Sequence, residues 1–177
     1  GITRQGVDNG PAVVVQAWEA AVERLRAAGA TVIDLDASGF AFPPPDGELL
    51  VLLYDFRDDL RSYLATRTGV PLAGGTLADA IAYNEANADV EMPFFGQEIF
   101  ELAQSLALGA NDPQPAFAGL SYTQALEIDR LSGVKGIDKA LRDYRLDGIA
   151  APTGTPAWTT DLLFGDNFLY ASSGLAA

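Results

Sequence analysis

The residues best suited to covalent chemistry form a short motif, Ser132-Gly133-Val134-Lys135. In this S-x-x-K spacing, a lysine one helical turn from a serine lowers the barrier for removing the hydroxyl proton and so activates a nucleophile. The Ser-Asp-Asn and Lys-Thr-Gly segments that accompany the motif in such serine enzymes are missing from the sequence. A lysine on a helix most often points to solvent, so we interpret this motif as a solvated helix face.

Closely spaced carboxylates are the second candidate for chemistry, because neighbouring carboxyl groups push their pKa values apart and can then serve as acid and base. Three such pairs occur: Asp34 with Asp36, Asp58 with Asp59, and Glu98 with Glu101. With 24 acidic residues in 177, pairs of this kind arise by chance. On helix faces they are normally solvated, so we do not expect a glycosidase-like site. No Asp-x-Asp-x-Asp-Gly loop occurs, and no metal is expected.

Composition excludes several classes of function. The sequence has no cysteine and no histidine, which rules out disulfides, thiolate nucleophiles, histidine-containing metal sites and Ser-His-Asp triads. Eleven basic against 24 acidic residues give a net charge of -13, which repels phosphate backbones and anionic lipids. Neither nucleic acid nor a membrane is therefore an expected partner. No apolar run approaches the roughly 18 residues that span a bilayer, so we expect a soluble chain, with the cytoplasm slightly favoured.

A loop near the carboxyl end of the sequence, residues 151–158, has the composition of a pocket wall. It contains Thr153, Gly154, Thr155 and Trp158 directly after a short apolar run. In α/β proteins, ligand sites gather beyond the carboxyl ends of strands, where hydroxyls and an indole can contact a ligand. An equally acceptable interpretation is that the tryptophan fastens an irregular loop to the core.

The elements that must position these residues are mainly helices, predicted from apolar residues that recur every three or four positions. They cover residues 11–29, 46–69, 76–84, 97–107 and 121–144. Thr76 and Asp79 have the spacing of a capping box at a helix start. Gly133 and Gly136 lie inside the last helix, where each costs about 1 kcal/mol, and therefore predict a close neighbour or a break.

Two short apolar runs predict strands that are buried on both faces of a parallel sheet, residues 31–35 and 146–151. A helix followed by a strand suggests half of a βαβ unit. We therefore predict an α/β fold that is rich in helix, with two or three strands in this chain. The length of 177 residues predicts one domain spanning 1–177.

Two stretches of the sequence resemble the amidase signature family. Residues 146–158, LDGIAAPTGTPAW, with Asp161, Leu162, Gly165 and Asp166 after them, are similar to the strand and pocket loop of those enzymes. Residues 76–86, TLADAIAYNEA, and 93–98, PFFGQE, resemble a stretch typical of bacterial members, including those that act on peptide amides. The stretches keep the family's order and separation, and the resemblance extends from about Pro11 onward.

The resemblance implies hydrolysis of a carboxamide to a carboxylic acid and ammonia by a Ser, cis-Ser, Lys triad, with no cofactor and no metal. It also implies a large mixed sheet with helices on both faces. No Gly-Gly-Ser-Ser-Gly-Gly stretch occurs in this sequence, so no catalytic residue can be carried over to it. We expect the chain to be the later portion of an amidase domain, lacking that signature region and inactive by itself.

The resemblance further implies which residues contact substrate: Thr153, Gly154, Thr155, Trp158 and Asp161. The expected partners are a small-molecule or peptide amide, and either the missing part of the amidase or a second copy of the chain. A noncatalytic ligand-binding or interaction module derived from an amidase is the alternative function. An unrelated acidic helical protein is a third possibility.

Overall fold

Helices form the regular structure of residues 1–5, 11–44 and 46–153, the part of the chain that the computed structural model describes. The α-helices are α1 (Ala12–Ala27), α2 (Glu48–Ala65), α3 (Leu77–Ala86), α4 (Ala88–Glu91), α5 (Glu98–Ser105), α6 (Tyr122–Gly133) and α7 (Lys139–Asp143). A 3-10 turn spans Pro115–Phe117, and a π-helical segment, Val134–Asp138, joins α6 to α7. The chain divides into two compact units, Gly1–Asp46 with Ile128–Ala177, and Gly47–Glu127.

The predicted α/β fold is wrong for the described residues, which contain no strand. The segments 31–35 and 146–151 do lie parallel to Ile2, but each pairs with it at one residue, in the bridges Ile2 to Asp34 and Ile2 to Ala150. On one side the Ile2 amide donates to Ile33 O at 2.9 Å. On the other side the Ala150 amide donates to Gly1 O at 2.9 Å.

Each of these segments turns or loses a donor before a second pair forms. After Asp34 the chain turns back, with the Ser38 amide donating to Asp34 O at 3.2 Å. After Ala151 comes Pro152, which has no amide hydrogen to extend a ladder. Within these two apolar runs only Leu35 is buried, so the predicted burial on both faces is wrong as well. Periodicity does not distinguish such a run from a true strand.

Helix α1 confirms the first predicted helix and packs against these segments. It buries Trp18 and Val22 in a cluster with Ile2, and Val32 and Ala150 pack against that cluster. The helix ends where Gly29 takes a φ of 93°, a left-handed conformation that glycine adopts without steric cost. The same part of the molecule thus holds the helix and both bridged segments together.

The last predicted helix is interrupted, as its glycines indicate. A Cβ on Gly136 would lie 3.2 Å from Phe42 Cδ1 and 3.2 Å from Pro43 Cδ, so this glycine allows a close approach. It lies within the π segment, which is the break. Nothing in the described chain lies within 4 Å of the corresponding position at Gly133. Both predicted consequences, a close neighbour and a break, therefore occur at Gly136.

The second unit, Gly47–Glu127, has its own core, formed by α2, α3, α5 and the start of α6. The core residues are Leu50, Leu53, Leu77, Ala103, Leu106 and Ala125. The predicted capping box is confirmed at α3, where Asp79 N donates to Thr76 Oγ1 at 3.3 Å and Thr76 N donates to Asp79 Oδ2 at 2.8 Å. None of the described helices is both long and apolar enough to cross a bilayer.

Candidate functional site

The candidate site lies at the carboxyl ends of the three parallel segments around Ile2. Because the segments run in the same direction, the residues that follow them lie at one edge of this group of segments, called the site edge below. These residues are Arg4, Asp36 and Thr153. Pro152 is buried and Thr153 is exposed directly after it. Of the five predicted substrate-binding residues, Thr153 alone belongs to the described chain. Gly154, Thr155, Trp158 and Asp161 lie outside the described residues.

An ion-pair cluster centred on Arg4 holds the site edge together. Arg4 Nε lies 2.6 Å from Glu19 Oε1, and Arg4 Nη1 lies 2.8 Å from Asp34 Oδ2. The Arg4 side chain is 25% exposed, so water screens these pairs only in part. Through Arg4, the cluster links Glu19 in the middle of α1 to Asp34.

The electrostatics of the cluster keep its members charged. The hydrogen bond from Arg4 lowers the pKa of Glu19, and the same bond raises the pKa of Arg4 above its ordinary value. The pKa of Asp34 is lowered, first by a hydrogen bond from the Ala37 amide and then by Arg4. A carboxylate held in this way is a poor general acid at neutral pH, since it stays deprotonated.

Both carboxylate oxygens of Asp36 also accept hydrogen bonds from the protein. Thr3 Oγ1 donates to Asp36 Oδ1 at 2.6 Å, and the Arg4 amide donates to Asp36 Oδ2 at 2.6 Å. Next to it, the Gln5 side chain hydrogen-bonds both the amide and the carbonyl of Phe42, each at 2.8 Å. Asp34 and Asp36 therefore serve as hydrogen-bond acceptors that build the site edge, and they do not form an acid and base pair.

Residues 3–5 are the part of this site that the sequence analysis missed. Thr3, Arg4 and Gln5 follow the apolar Ile2 directly, and each makes a side-chain contact to a residue at least fifteen positions away. The available signal was a cation two residues after the apolar Ile2, in a chain with only 11 basic side chains. That signal identifies a residue able to pair with carboxylates, but it does not identify the partners.

The other carboxylate pairs are solvated. Asp58 and Asp59 are both exposed, and Asp58 pairs with Arg61 one turn later at 3.2 Å. Glu98 and Glu101 are exposed on α5. Among the described residues, no group of three or more acidic side chains is arranged to hold a metal ion.

The S-x-x-K motif is not a catalytic pair. Ser132 is 4% exposed, and its hydroxyl lies 3.0 Å from Ile128 O and 3.3 Å from Pro44 O, so its proton is directed to a backbone carbonyl. Lys135 is exposed. The prediction of a solvated helix face is therefore confirmed for Lys135. It is wrong for Ser132, which is buried.

A cavity of about 620 Å³ lies in the same unit as Thr153 but at the other end of the parallel segments. Its lining includes residues 29–33 and 145–150, most of which precede the bridged residues Asp34 and Ala150 in sequence. The cavity therefore faces the amino-terminal ends of the segments, and Thr153 does not line it.

Comparison with solved structures identifies peptide amidases as similar proteins. The chain resembles the peptide amidase PAM in complex with the competitive inhibitor chymostatin at 30% identity and a TM-score of 0.70. It resembles PAM12A at 33% identity and a TM-score of 0.71. The native peptide amidase from Stenotrophomonas maltophilia gives 31% identity and a TM-score of 0.68.

Each of these similarities covers 99% of this chain and 34% of the solved chain, so the sequence spans about a third of the length of the peptide amidases it matches. No protein-family model matches the sequence, and no curated protein matches it either. The resemblance seen in the sequence thus extends to the fold of one portion of a peptide amidase.

Proposed function

We propose that this chain is one portion of an amidase, a hydrolase that converts a carboxamide into a carboxylic acid and ammonia. The observation that carries the proposal is the likeness to peptide amidases over 99% of the chain, in sequence and in fold together. The nucleophile belongs to a Ser, cis-Ser, Lys triad that is located outside these 177 residues. The chain contributes helical cover and one loop of the substrate pocket.

In this proposal, the loop that begins at Thr153 contacts the substrate. Its remaining contact residues are Gly154, Thr155, Trp158 and Asp161. The support from the described residues is the anchoring of the loop at its start: the Thr3 amide donates to Ala150 O at 3.3 Å, and Pro152 is buried. A loop with a fixed origin orients a substrate at a smaller entropic cost than a free loop does.

The chain by itself is proposed to be inactive. Binding surfaces lower the cost of orientation, but acceleration of amide hydrolysis also needs a nucleophile and donors for the developing oxyanion. The best internal candidate for a nucleophile, Ser132, is directed to backbone carbonyls, and its supposed activator Lys135 is exposed. Neither is in a position to perform acyl transfer.

The proposed substrates are primary amides, and amidated peptides are the first to test because the similar solved proteins are peptide amidases. The proposed protein partner is the remaining part of the amidase, with self-association of the chain as the second choice. Exposed apolar side chains such as Val90, Phe94 and Leu108 offer surface for such contacts.

The experiment begins with the coding DNA on both sides of Gly1 and Ala177. We expect an in-frame lysine and a Gly-Gly-Ser-Ser-Gly-Gly stretch upstream, and the full product should release ammonia from an amidated peptide. Replacing Thr153 with alanine should raise KM more than it lowers kcat, because binding is lost and the nucleophile is kept. The matched control is Thr123→Ala, in the second unit, which should leave both constants unchanged.

Two results would contradict the proposal. If the 177-residue chain alone releases ammonia and Ser132→Ala abolishes that release, the nucleophile is internal. If start and stop codons bound the chain, and a short amide raises its melting temperature without being hydrolysed, the chain is a noncatalytic binding module.

A further inference from the structure

The second unit contains a separate small pocket, between the end of α2 and the loop that follows it. Its volume is about 270 Å³, and its walls are Leu64, Val70, Pro71, Leu72 and the rings of Tyr63 and Tyr83. Leu64 is 7% exposed and forms the floor, whereas Val70 and Tyr63 are 47% and 56% exposed. The volume is below the roughly 300 to 1,000 Å³ typical of drug-sized ligand sites, so it suits one small apolar group.

The walls of this pocket are fixed by backbone hydrogen bonds at the end of α2. The amides of Arg67 and Gly74 both donate to Leu64 O, at 3.0 and 2.9 Å. Gly69 and Gly74 have φ values of 70° and 73°, which let the loop fold back on the helix end. The pocket is therefore formed before any ligand arrives, which reduces the entropy that binding must overcome.

Arg67 gives the pocket a positively charged rim. Its guanidinium lies 4.7 Å from the centroid of the Tyr63 ring, and its Nε and Nη2 atoms donate to Thr66 Oγ1 at 3.0 and 2.9 Å. These contacts hold the guanidinium plane and leave Nη1 without a hydrogen bond within the described part of the chain. Arg61, in α2 itself, pairs with Asp58, but no described carboxylate pairs with Arg67, which lies just after the helix.

We propose that this pocket binds a small carboxylate that carries one aromatic or branched aliphatic group. The apolar walls accept the group, and the guanidinium of Arg67 pairs with the carboxylate, for which its planar set of donors is suited. A phosphate gains nothing from these walls, and its higher charge is opposed by the net charge of -13. The proposal uses none of residues 151–161, so its test is independent of the proposed amidase function.

The test compares two probes of the same shape, 3-phenylpropionate and 3-phenylpropanamide, by calorimetric titration of the whole chain at low salt. Both fill the apolar pocket, but only the acid carries a charge for Arg67. We expect the acid to bind about threefold to tenfold more tightly than the amide, since a charge-assisted hydrogen bond is roughly twice as strong as a neutral one and Arg67 is exposed. Raising the salt concentration should weaken binding of the acid alone.

Variants locate the binding in this pocket. Arg67→Gln should remove most of the preference for the acid, and Arg67→Lys should keep part of it, because the charge remains and the planar set of donors is lost. The matched control Arg61→Gln removes one positive charge from α2, whose end precedes Arg67, and should change the affinity less than twofold. Circular dichroism verifies that each variant is folded.

Three results would overturn the proposal. The first is equal binding of acid and amide, and the second is undiminished binding of the acid to the Arg67→Gln variant. The third is the absence of any heat of binding at millimolar acid.

Discussion

Two glycines provide a direct test of how closely the π segment packs: Gly136 within it and Gly133 at the end of α6. Replacing Gly136 with alanine places a Cβ 3.2 Å from both Phe42 Cδ1 and Pro43 Cδ. Phe42 has little room to move, because it is 4% exposed and its ring contacts that of Phe40 edge to face at 5.1 Å. Its backbone is also held on both sides by the Gln5 side chain.

Two opposing energies determine the effect of Gly136→Ala. Alanine is preferred over glycine in a helix by about 0.8 to 1 kcal/mol, whereas an additional methyl group in a filled space costs about 1 to 3 kcal/mol. We therefore expect a net loss of stability of up to about 2 kcal/mol. The matched variant is Gly133→Ala. Gly133 has helical φ and ψ of -59° and -51° and open space at its Cβ position, so this variant should show only the stabilisation from the higher helix propensity of alanine.

The assay is urea unfolding followed by far-ultraviolet circular dichroism, with both variants and the parent chain measured side by side. The difference in unfolding free energy between the variants should be about 1 to 3 kcal/mol, with Gly133→Ala the more stable. If Gly136→Ala is as stable as Gly133→Ala, then Phe42 and Pro43 yield at no cost. In that case, the close approach of Phe42 and Pro43 is not the reason that position 136 is a glycine.

Two further predictions concern local interactions. Thr76→Ala should lower the unfolding free energy by about 1 kcal/mol through loss of the α3 cap, and Thr76→Ser should restore most of it in the same urea assay; equal loss in both would refute the cap. The second prediction concerns pH. The pKa values of Asp34 and Glu19 are lowered in the folded state, so their ionised forms stabilise the fold above the ordinary carboxyl range. This contribution to stability is lost as pH falls through the lowered pKa values. The melting temperature should therefore fall between pH 6 and pH 3, and an Arg4→Met variant should show a shallower fall; parallel curves would refute the role of Arg4.

The helices could be predicted because their causes are local. The capping box of Thr76 and Asp79 involves residues three positions apart, and the sequence contains everything needed to recognise it. The same holds at Ser121, which accepts a hydrogen bond from the Gln124 amide at 3.3 Å. Helix ends were less accurate: α2 ends at Ala65, before the glycine at 69 that marked its predicted end. The loop after Ala65 folds back on the helix end instead, with the Gly74 amide donating to Leu64 O.

The strands were predicted wrongly because pairing depends on partners far away in sequence. Ile2 pairs with Asp34 and with Ala150. Pro152 limits the second contact, but nothing in the sequence around Asp34 indicates that the first one stops after one residue. The apolar character of these segments predicted strands buried on both faces, but only Leu35 among them is buried. A pattern read over a few residues contains no information about a bridge that closes almost the whole length of the chain.

The same distinction limits what the sequence can indicate about the candidate site. The residues 151–158 look like a pocket loop in isolation, but what fixes the start of that loop is a set of nonlocal contacts. Arg4 reaches Glu19 and Asp34, and Thr3 reaches both Asp36 and the carbonyl of Ala150. Each of these side chains, taken alone, looks like an ordinary polar surface residue. They act together because Ile2 pairs with both Asp34 and Ala150 and so brings these side chains to the site edge. The anchoring at the start of the loop is therefore a property of the fold, and no short stretch of the sequence predicts it.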